Sequence, residues 1–368
     1  MKIAIDTFGC NHAKGGLGSY ALNFIANIPE DKLKNFEILG YEVDRYVFNS
    51  NKEVSFSSAK VSDDDKSIQK FYEKKINKIA KKNGYNSIIF PACEKALPLK
   101  FKTFTGIAIV NTIISSFIAE NPKRSKKLLQ GLNNIQIIIA ASNFIKEDLI
   151  HLGLSAEKIT IIHNGIDHKI FYPMPDIDAE IVNISPFAIK RPYFIYGSTL
   201  SGPEKKHIEL IKAFELFKER TGAPHRLVLA GNDGAFSEMI HQCAFNSKYA
   251  SDIFLTGYFP PKDFAKLYAA SELCIFPSVI EGVGLPILEA MACGVPVICS
   301  KEGALKEIGG TSPIYFDSNN IEEIAESLEK CINDKKLKEK MIFEGIIWAS
   351  EYNWEKTVDQ TIELINSL

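Results

Sequence analysis

The stretch Pro277-Ser278-Val279-Ile280-Glu281-Gly282-Val283-Gly284-Leu285-Pro286-Ile287-Leu288-Glu289-Ala290-Met291-Ala292-Cys293-Gly294-Val295-Pro296-Val297 decides how the chain is read. The apolar run Leu273 to Phe276 ends just before it, and a second run, Pro296 to Cys299, closes it. A glycine loop and a segment of helical period lie between, so the pattern is strand, loop, helix, strand. Gly282 and Gly284 let the backbone come close to a ligand, and Pro286 suits a first helical turn. The free amides of that turn would face an anion such as a diphosphate. Glu281 stands before the loop. Glu289 is expected in the first turn of the helix, placed to accept hydrogen bonds from ribose hydroxyls.

Outward from this segment the same unit recurs. Apolar runs in the second half fall at Tyr193 to Tyr196, Arg226 to Ala230 and Ile253 to Thr256. The first half offers Lys2 to Asp6, Glu37 to Tyr41, Ser87 to Phe90, Gly106 to Val110, Ile135 to Ala141 and Lys158 to His163. Helical stretches lie beside them at Leu17 to Ile28, Ser67 to Lys82 and Phe144 to Leu152, which predicts an α/β chain with two parallel sheets. Phe171 to Pro192, with Pro173, Pro175, Pro186 and Pro192, reads as an interdomain linker. The expected division is therefore 1–184, 185–350 and a terminal segment 351–368. Asn320 with Glu323 resembles a capping box, and helices are expected from there to about Asn333, from Lys335, and from Trp354 to Ile365. Ser50 to Lys66, rich in Ser, Asp and Lys, reads as an exposed loop.

The 368 residues exceed what one core usually supports, which agrees with two domains. Lys and Arg number 43 against 45 Asp and Glu, so the net charge of −2 provides no global attraction to nucleic acid. No leader-like N-terminus and no run of about 18 apolar residues is evident, and a cytoplasmic protein is expected. The seven cysteines are scattered without Cys-x-x-Cys spacing and read as buried thiols.

The Glu281 to Glu289 segment resembles the signature of glycosyltransferase family four, retaining enzymes of the GT-B fold, in which two glutamates flank a Gly-x-Gly-Leu-Pro loop with seven residues between them. The resemblance implies two Rossmann-like domains facing an interdomain cleft, with the C-terminal helix packing back on the first domain. It implies that Glu281 contacts the donor sugar and Glu289 the ribose, with Gly282, Val283, Gly284 and Leu285 lining the donor. The family also places a lysine at the position of Lys205, against the donor diphosphate, in the stretch Tyr196 to Phe214 that includes Ser198. Glu204 stands where many members carry arginine, and Lys206 or Arg191 is the candidate replacement.

In the first half, Gly15-Gly16-Leu17-Gly18 matches a family glycine loop near donor phosphates and acceptor, which makes Gly16 and Gly18 candidate site residues. The full dinucleotide fingerprint is absent. Asn111 stands where the family commonly has a histidine beside the donor sugar; an amide exchanges hydrogen bonds but carries no charge. His12 is the candidate for filling that space and contacting the acceptor. Asp63-Asp64-Asp65 lacks the preceding buried strand that would aim it at a metal, and is expected to be a solvated loop or a helix cap.

The resemblance implies transfer of a hexose, mannose or another, from a GDP- or UDP-sugar to a glycan or glycolipid in bacterial envelope polysaccharide assembly, lipopolysaccharide included. The setting would be the inner face of the plasma membrane, with peripheral membrane contact. Lys205, Glu281 and Asn111 form the expected catalytic set, without metal or a further cofactor. Two other readings are a nucleotide-sugar epimerase of the same fold, marked by conversion of the donor without acceptor, and a non-catalytic nucleotide-sugar-binding protein.

Overall fold

The apolar runs of the first half pair side by side because the central ones are buried on both faces and need helices to cover them. The protein is described by a computed structural model over residues 1–49, 53–174, 180–184 and 187–367. Its first sheet contains β1 (Ile3–Asp6), β2 (Phe36–Gly40), β3 (Ser55–Ser58), β4 (Ser87–Phe90), β5 (Thr105–Val110), β6 (Ile137–Ala140) and β7 (Ile159–Ile161). The seven strands lie in the order β3-β2-β1-β4-β5-β6-β7, all parallel.

The strand β3 corrects the loop expected from Ser50 to Lys66. Ser55–Ser58 lies on the sheet edge, paired only with β2, so it needs no apolar alternation and leaves little hydrophobic signal. Ser50 itself lies outside the described residues.

The second half opens with an antiparallel hairpin, β8 (Ile181–Ile184) and β9 (Phe187–Lys190). Its main sheet contains β10 (Tyr193–Gly197), β11 (Arg226–Ala230), β12 (Ile253–Gly257), β13 (Leu273–Phe276), β14 (Val297–Ser300) and β15 (Ile314–Phe316). These six parallel strands follow the order β12-β11-β10-β13-β14-β15. The chain reverses its direction of winding between β10 and β13, and the loops leaving those two strands therefore splay to either side of one crevice.

Two compact units result, Met1–Gly165 with Asn353–Leu368, and Ile166–Tyr352. The chain thus enters the second unit at Ile166, ahead of the expected boundary near 185, which lies outside the described residues, as do Pro175 and Pro186. The supposed linker belongs to the second unit: Phe171 packs against Tyr268, and Phe187 against Phe259. Proline content signalled irregular backbone there, but not its docking.

The helix Trp354–Asn366 belongs to the first unit. Trp354, Val358, Ile362 and Ile365 recur at helical spacing and enter the core built on Ile3, Ile5, Tyr20 and Phe24. Gly165 lets the returning chain close in, since a Cβ there would collide with the backbone of Asn353 and Trp354. No helix among the described residues is long and apolar enough to cross a membrane. The seven cysteines are free, and all but Cys243 are buried.

Candidate functional site

In the second unit the loop after β10 and the loop after β13 are pinned together by backbone. The Val279 N–H donates to the Glu204 carbonyl at 2.9 Å, and the Tyr196 hydroxyl donates to the Lys205 carbonyl at 2.9 Å. These bonds bring Lys205 and Glu281 together, with the ammonium donating to Oε1 at 2.6 Å. Both side chains are largely shielded, being 20% and 16% exposed, so the attraction is weakly screened.

Behind Glu281 the backbone turns through Gly284, whose φ of 69° lies in the left-handed region and caps the helix Leu285–Ala292. A Cβ at Gly284 would also press on Leu305 at 2.9 Å. The neighbouring turn closes the loop from the other side: the Ala304 N–H donates to the Glu281 carbonyl at 2.9 Å, and Gly303 leaves no room for a Cβ against it. Gly282, Val283 and Leu285 are half-buried along this path. The expected anion cradle is thus a loop with defined walls.

Glu289 sits one turn deeper in the helix than expected, because the helix begins at Leu285. It has no hydrogen-bonding or ion-pair partner among the described residues, and burial pushes its carboxyl up to about 7. A half-buried carboxyl without a partner among the described residues is suited to hydroxyl groups brought by a ligand. Ser198 leaves the carboxyl end of β10 half-buried, its N–H bonded to the Ala230 carbonyl at 2.9 Å.

Neither candidate for the second cation is in place. Lys206 adopts a left-handed conformation (φ 57°) and its ammonium turns to Glu209 at 2.9 Å. Arg191 precedes β10, at the amino end of the sheet, a full strand away from the loop that bears Lys205. The Glu204 carboxylate folds over Gly202. His207, buried and tilted against Tyr196 with ring centroids 4.7 Å apart, is held near pKa 4 by burial and by Lys205, so it adds no charge at neutral pH. Lys205 is the one cation these loops offer.

The first unit places its expected residues differently. Gly15 begins the helix Gly15–Ala26, so Gly16 and Gly18 lie inside a helical turn. Gly16 is exposed with open space around its Cα, whereas Gly18 is a packing glycine whose Cβ would strike the Ala13 and Cys10 backbone. His12 is committed to a bracket: Nδ1 meets Asp44 Oδ1 at 2.6 Å and Nε2 meets Asp63 Oδ2 at 3.0 Å. With both ring nitrogens occupied, His12 does not fill the space expected of it. The acidic run has structural partners as well, since Asp64 caps the helix Asp65–Phe71 through the Ser67 N–H at 2.9 Å, and Asp65 pairs with Arg124 at 2.6 Å.

Asn111 follows β5 and accepts from the Asn164 amide at 3.1 Å, leaving its own amide donors for a ligand. Asn164 was legible only as half of an Asn-Gly turn; its part-buried pairing with Asn111 spans 53 residues and has no local signal.

Comparison with known proteins agrees with this architecture. Residues 178–348 match the family model described as "Glycosyl transferases group 1", and residues 95–170 match "Glycosyltransferase Family 4". The chain is 29% identical to the O-antigen chain mannosyltransferase B of Escherichia coli over 238 residues, which are 64% of this chain and 62% of that protein. The match therefore spans less than two thirds of the relative's length. Anabaena Alr3699/HepE in complex with UDP shares the fold at a TM-score of 0.77 and 19% identity, covering 100% of both chains. Sucrose-phosphate synthase of Thermosynechococcus elongatus does so at 0.77 and 18% identity, covering 100% of this chain and 98% of that one. Two abutting family matches and a shared two-sheet fold place this chain among the family-four-type glycosyltransferases of the GT-B fold.

Proposed function

We propose that the protein transfers a hexose, with mannose the first choice, from a GDP- or UDP-sugar to a glycan or glycolipid acceptor in bacterial envelope polysaccharide assembly. The observation that carries this reading is the contact of Lys205 with Glu281 on a glycine loop that leads into the helix bearing Glu289, a carboxyl without a partner among the described residues. Kinship with a relative that is an O-antigen chain mannosyltransferase supports mannose and the envelope, and a solved relative in complex with UDP supports a nucleotide donor.

The diphosphate lies against Lys205 and the amides opening the Leu285–Ala292 helix, and Glu289 takes the ribose hydroxyls. Lys205 then exchanges its bond to Glu281 for the diphosphate, and Glu281 turns its oxygens to the sugar hydroxyls. The acceptor hydroxyl forms its bond to the anomeric carbon on the face from which the diphosphate leaves. The acceptor proton passes to the departing phosphate oxygen, and the leaving charge is held by Lys205 and the loop amides. Configuration is retained, and charge neutralisation rests on protein groups without a metal.

The test is a thermal-shift screen of UDP, GDP and their sugars, followed by transfer to an oligosaccharide panel with and without EDTA. Product of retained anomeric configuration, formed equally with EDTA, agrees with the proposal. An inverted product or loss of transfer with EDTA refutes the corresponding part, and conversion of the donor without acceptor indicates an epimerase.

A further inference from the structure

Beside the loops that carry Lys205 and Glu281 lies one buried polar side chain without a task in sugar transfer. His207 opens the helix His207–Thr221, two positions beyond Lys205, and is 2% exposed. Its ring tilts against Tyr196, whose hydroxyl in turn holds the Lys205 carbonyl at 2.9 Å. Neither imidazole nitrogen has a hydrogen-bond partner among the described residues. The Ser198 carbonyl, from the same loop as Lys205, is near enough to favour a protonated ring. An aliphatic side chain would fill this space without leaving two buried polar atoms unmet, which is costly.

The charges around the ring are few. Lys205 is the neighbour whose field it feels, and burial together with that field keeps it neutral in the donor-free protein. Tyr196 is uncharged, because burial raises its phenol well above the ordinary value. Glu281 neutralises Lys205, Lys206 is joined to Glu209, and the Glu204 carboxylate folds over Gly202. On the helices packed against His207–Thr221, His241 pairs with Asp233, and Glu322 and Glu329 pair with Arg220 near the far end.

A bound diphosphate reverses this balance. It carries more than one negative charge, and further charge gathers on it as the sugar–phosphate bond breaks, while Lys205 is the one side-chain cation the loops hold against it. Glu204 stands where a second cation is expected, and Lys206 is turned to Glu209. An anion beside a buried base favours its protonated form, and His207 is the base packed against these loops.

We propose that His207 is the second cation of the donor site, taking a proton from solvent when a nucleoside diphosphate binds beside Lys205 and returning it when the nucleotide leaves. This role rests on the transfer reading, in which the diphosphate lies against Lys205. The added charge is present only while an anion is there to meet it, so the empty site avoids two like charges side by side.

The test is calorimetric titration of the full chain with UDP and with GDP, in two buffers of different ionisation heat, beside the variants His207→Gln and His207→Leu. At pH 6.5 the wild type should take up about half a proton or more per bound nucleotide beyond either variant. By reciprocity its affinity advantage over the variants should grow about tenfold as pH falls from 8 to 6. Proton exchange by Glu289 and by the nucleotide itself is common to all three proteins and drops out of the difference. Circular dichroism verifies folding. Should neither variant fold, histidine-selective 15N labelling of the wild type reads the same event: one of its 7 imidazoles, neutral at pH 6.5 without ligand, should become protonated with UDP or GDP. Equal proton uptake by wild type and folded variants, or imidazoles unchanged by bound nucleotide, overturns the role of His207 while donor binding stands. No binding of either nucleotide by the folded wild type overturns the donor reading, and the role of His207 with it.

Discussion

The Lys205 ammonium lies 2.6 Å from Glu281 Oε1 although 76 positions separate the two residues in sequence. The pair is a side-chain contact between the loop after β10 and the loop after β13, beside the backbone bond from Val279 to Glu204. In the donor-free protein each side chain neutralises the other, which keeps the cation in place until a diphosphate competes for it.

Replacing Lys205 by Ala removes the only cation of these loops directed at the cradle. Transfer is expected to fall by about 10²-fold or more, as when one preorganised electrostatic donor is lost. UDP or GDP affinity, measured by calorimetry, should fall with it. Glu281→Gln is expected to lower kcat more than tenfold while nucleoside diphosphate binding stays near normal, since its assigned partner is the sugar. Normal turnover by either folded variant contradicts these roles.

Glu289 makes a prediction in pH. Its carboxyl is raised from 4.5 to about 7 by burial, so the folded ligand-free protein holds a proton that the unfolded chain has released over that interval. Wild-type stability should therefore decline relative to Glu289→Gln as pH rises from 4.5 towards 7, and the difference should level off above it. Denaturant midpoints of the two proteins across pH 4.5 to 8 check the sign. Glu289→Ala should in addition lower transfer more than tenfold.

His12 makes a prediction of opposite sign. The Asp44 hydrogen bond, seconded by Asp63, raises its pKa above 6.5. A group raised on folding stabilises fully below its unfolded pKa and loses that contribution as pH climbs through its folded value. The stability advantage of wild type over His12→Gln should thus be greatest at pH 6 and shrink as the solution becomes alkaline, read by thermal melts. Transfer measured on folded His12→Gln should change little.

Trp354 anchors the returning helix, with only 4% of its surface exposed and Tyr20 edge-on at 5.3 Å. Truncation to Ala should cost about 3–5 kcal/mol, as for other buried large aromatics. Urea unfolding of the first unit's core provides the measurement.

Much of the fold was legible because parallel strands buried on both faces must be apolar throughout. Ser87–Phe90, Arg226–Ala230 and Leu273–Phe276 stand in the sequence with the bounds they have in the structure. Elements with weaker burial demands were not legible: β3 needs only one partner, and β8 with β9 alternate behind a screen of prolines. At the site, Gly284 and Pro286 announced a helix entry because only particular residues tolerate those backbone positions.

The chain by itself determined the α/β class, the glycine loop between two glutamates and the lysine available to face it, all of which rest on local periodicity and backbone preference. Tertiary structure decided which groups remain available. It drew Lys206 to Glu209, left Arg191 at the far end of β10 and locked His12 between Asp44 and Asp63. It also paired Asn111 with Asn164 and left Glu289 without a partner among the described residues. The physical reason is that a residue's type records which bonds it is able to make, whereas the bonds it does make depend on neighbours that folding brings from distant parts of the chain.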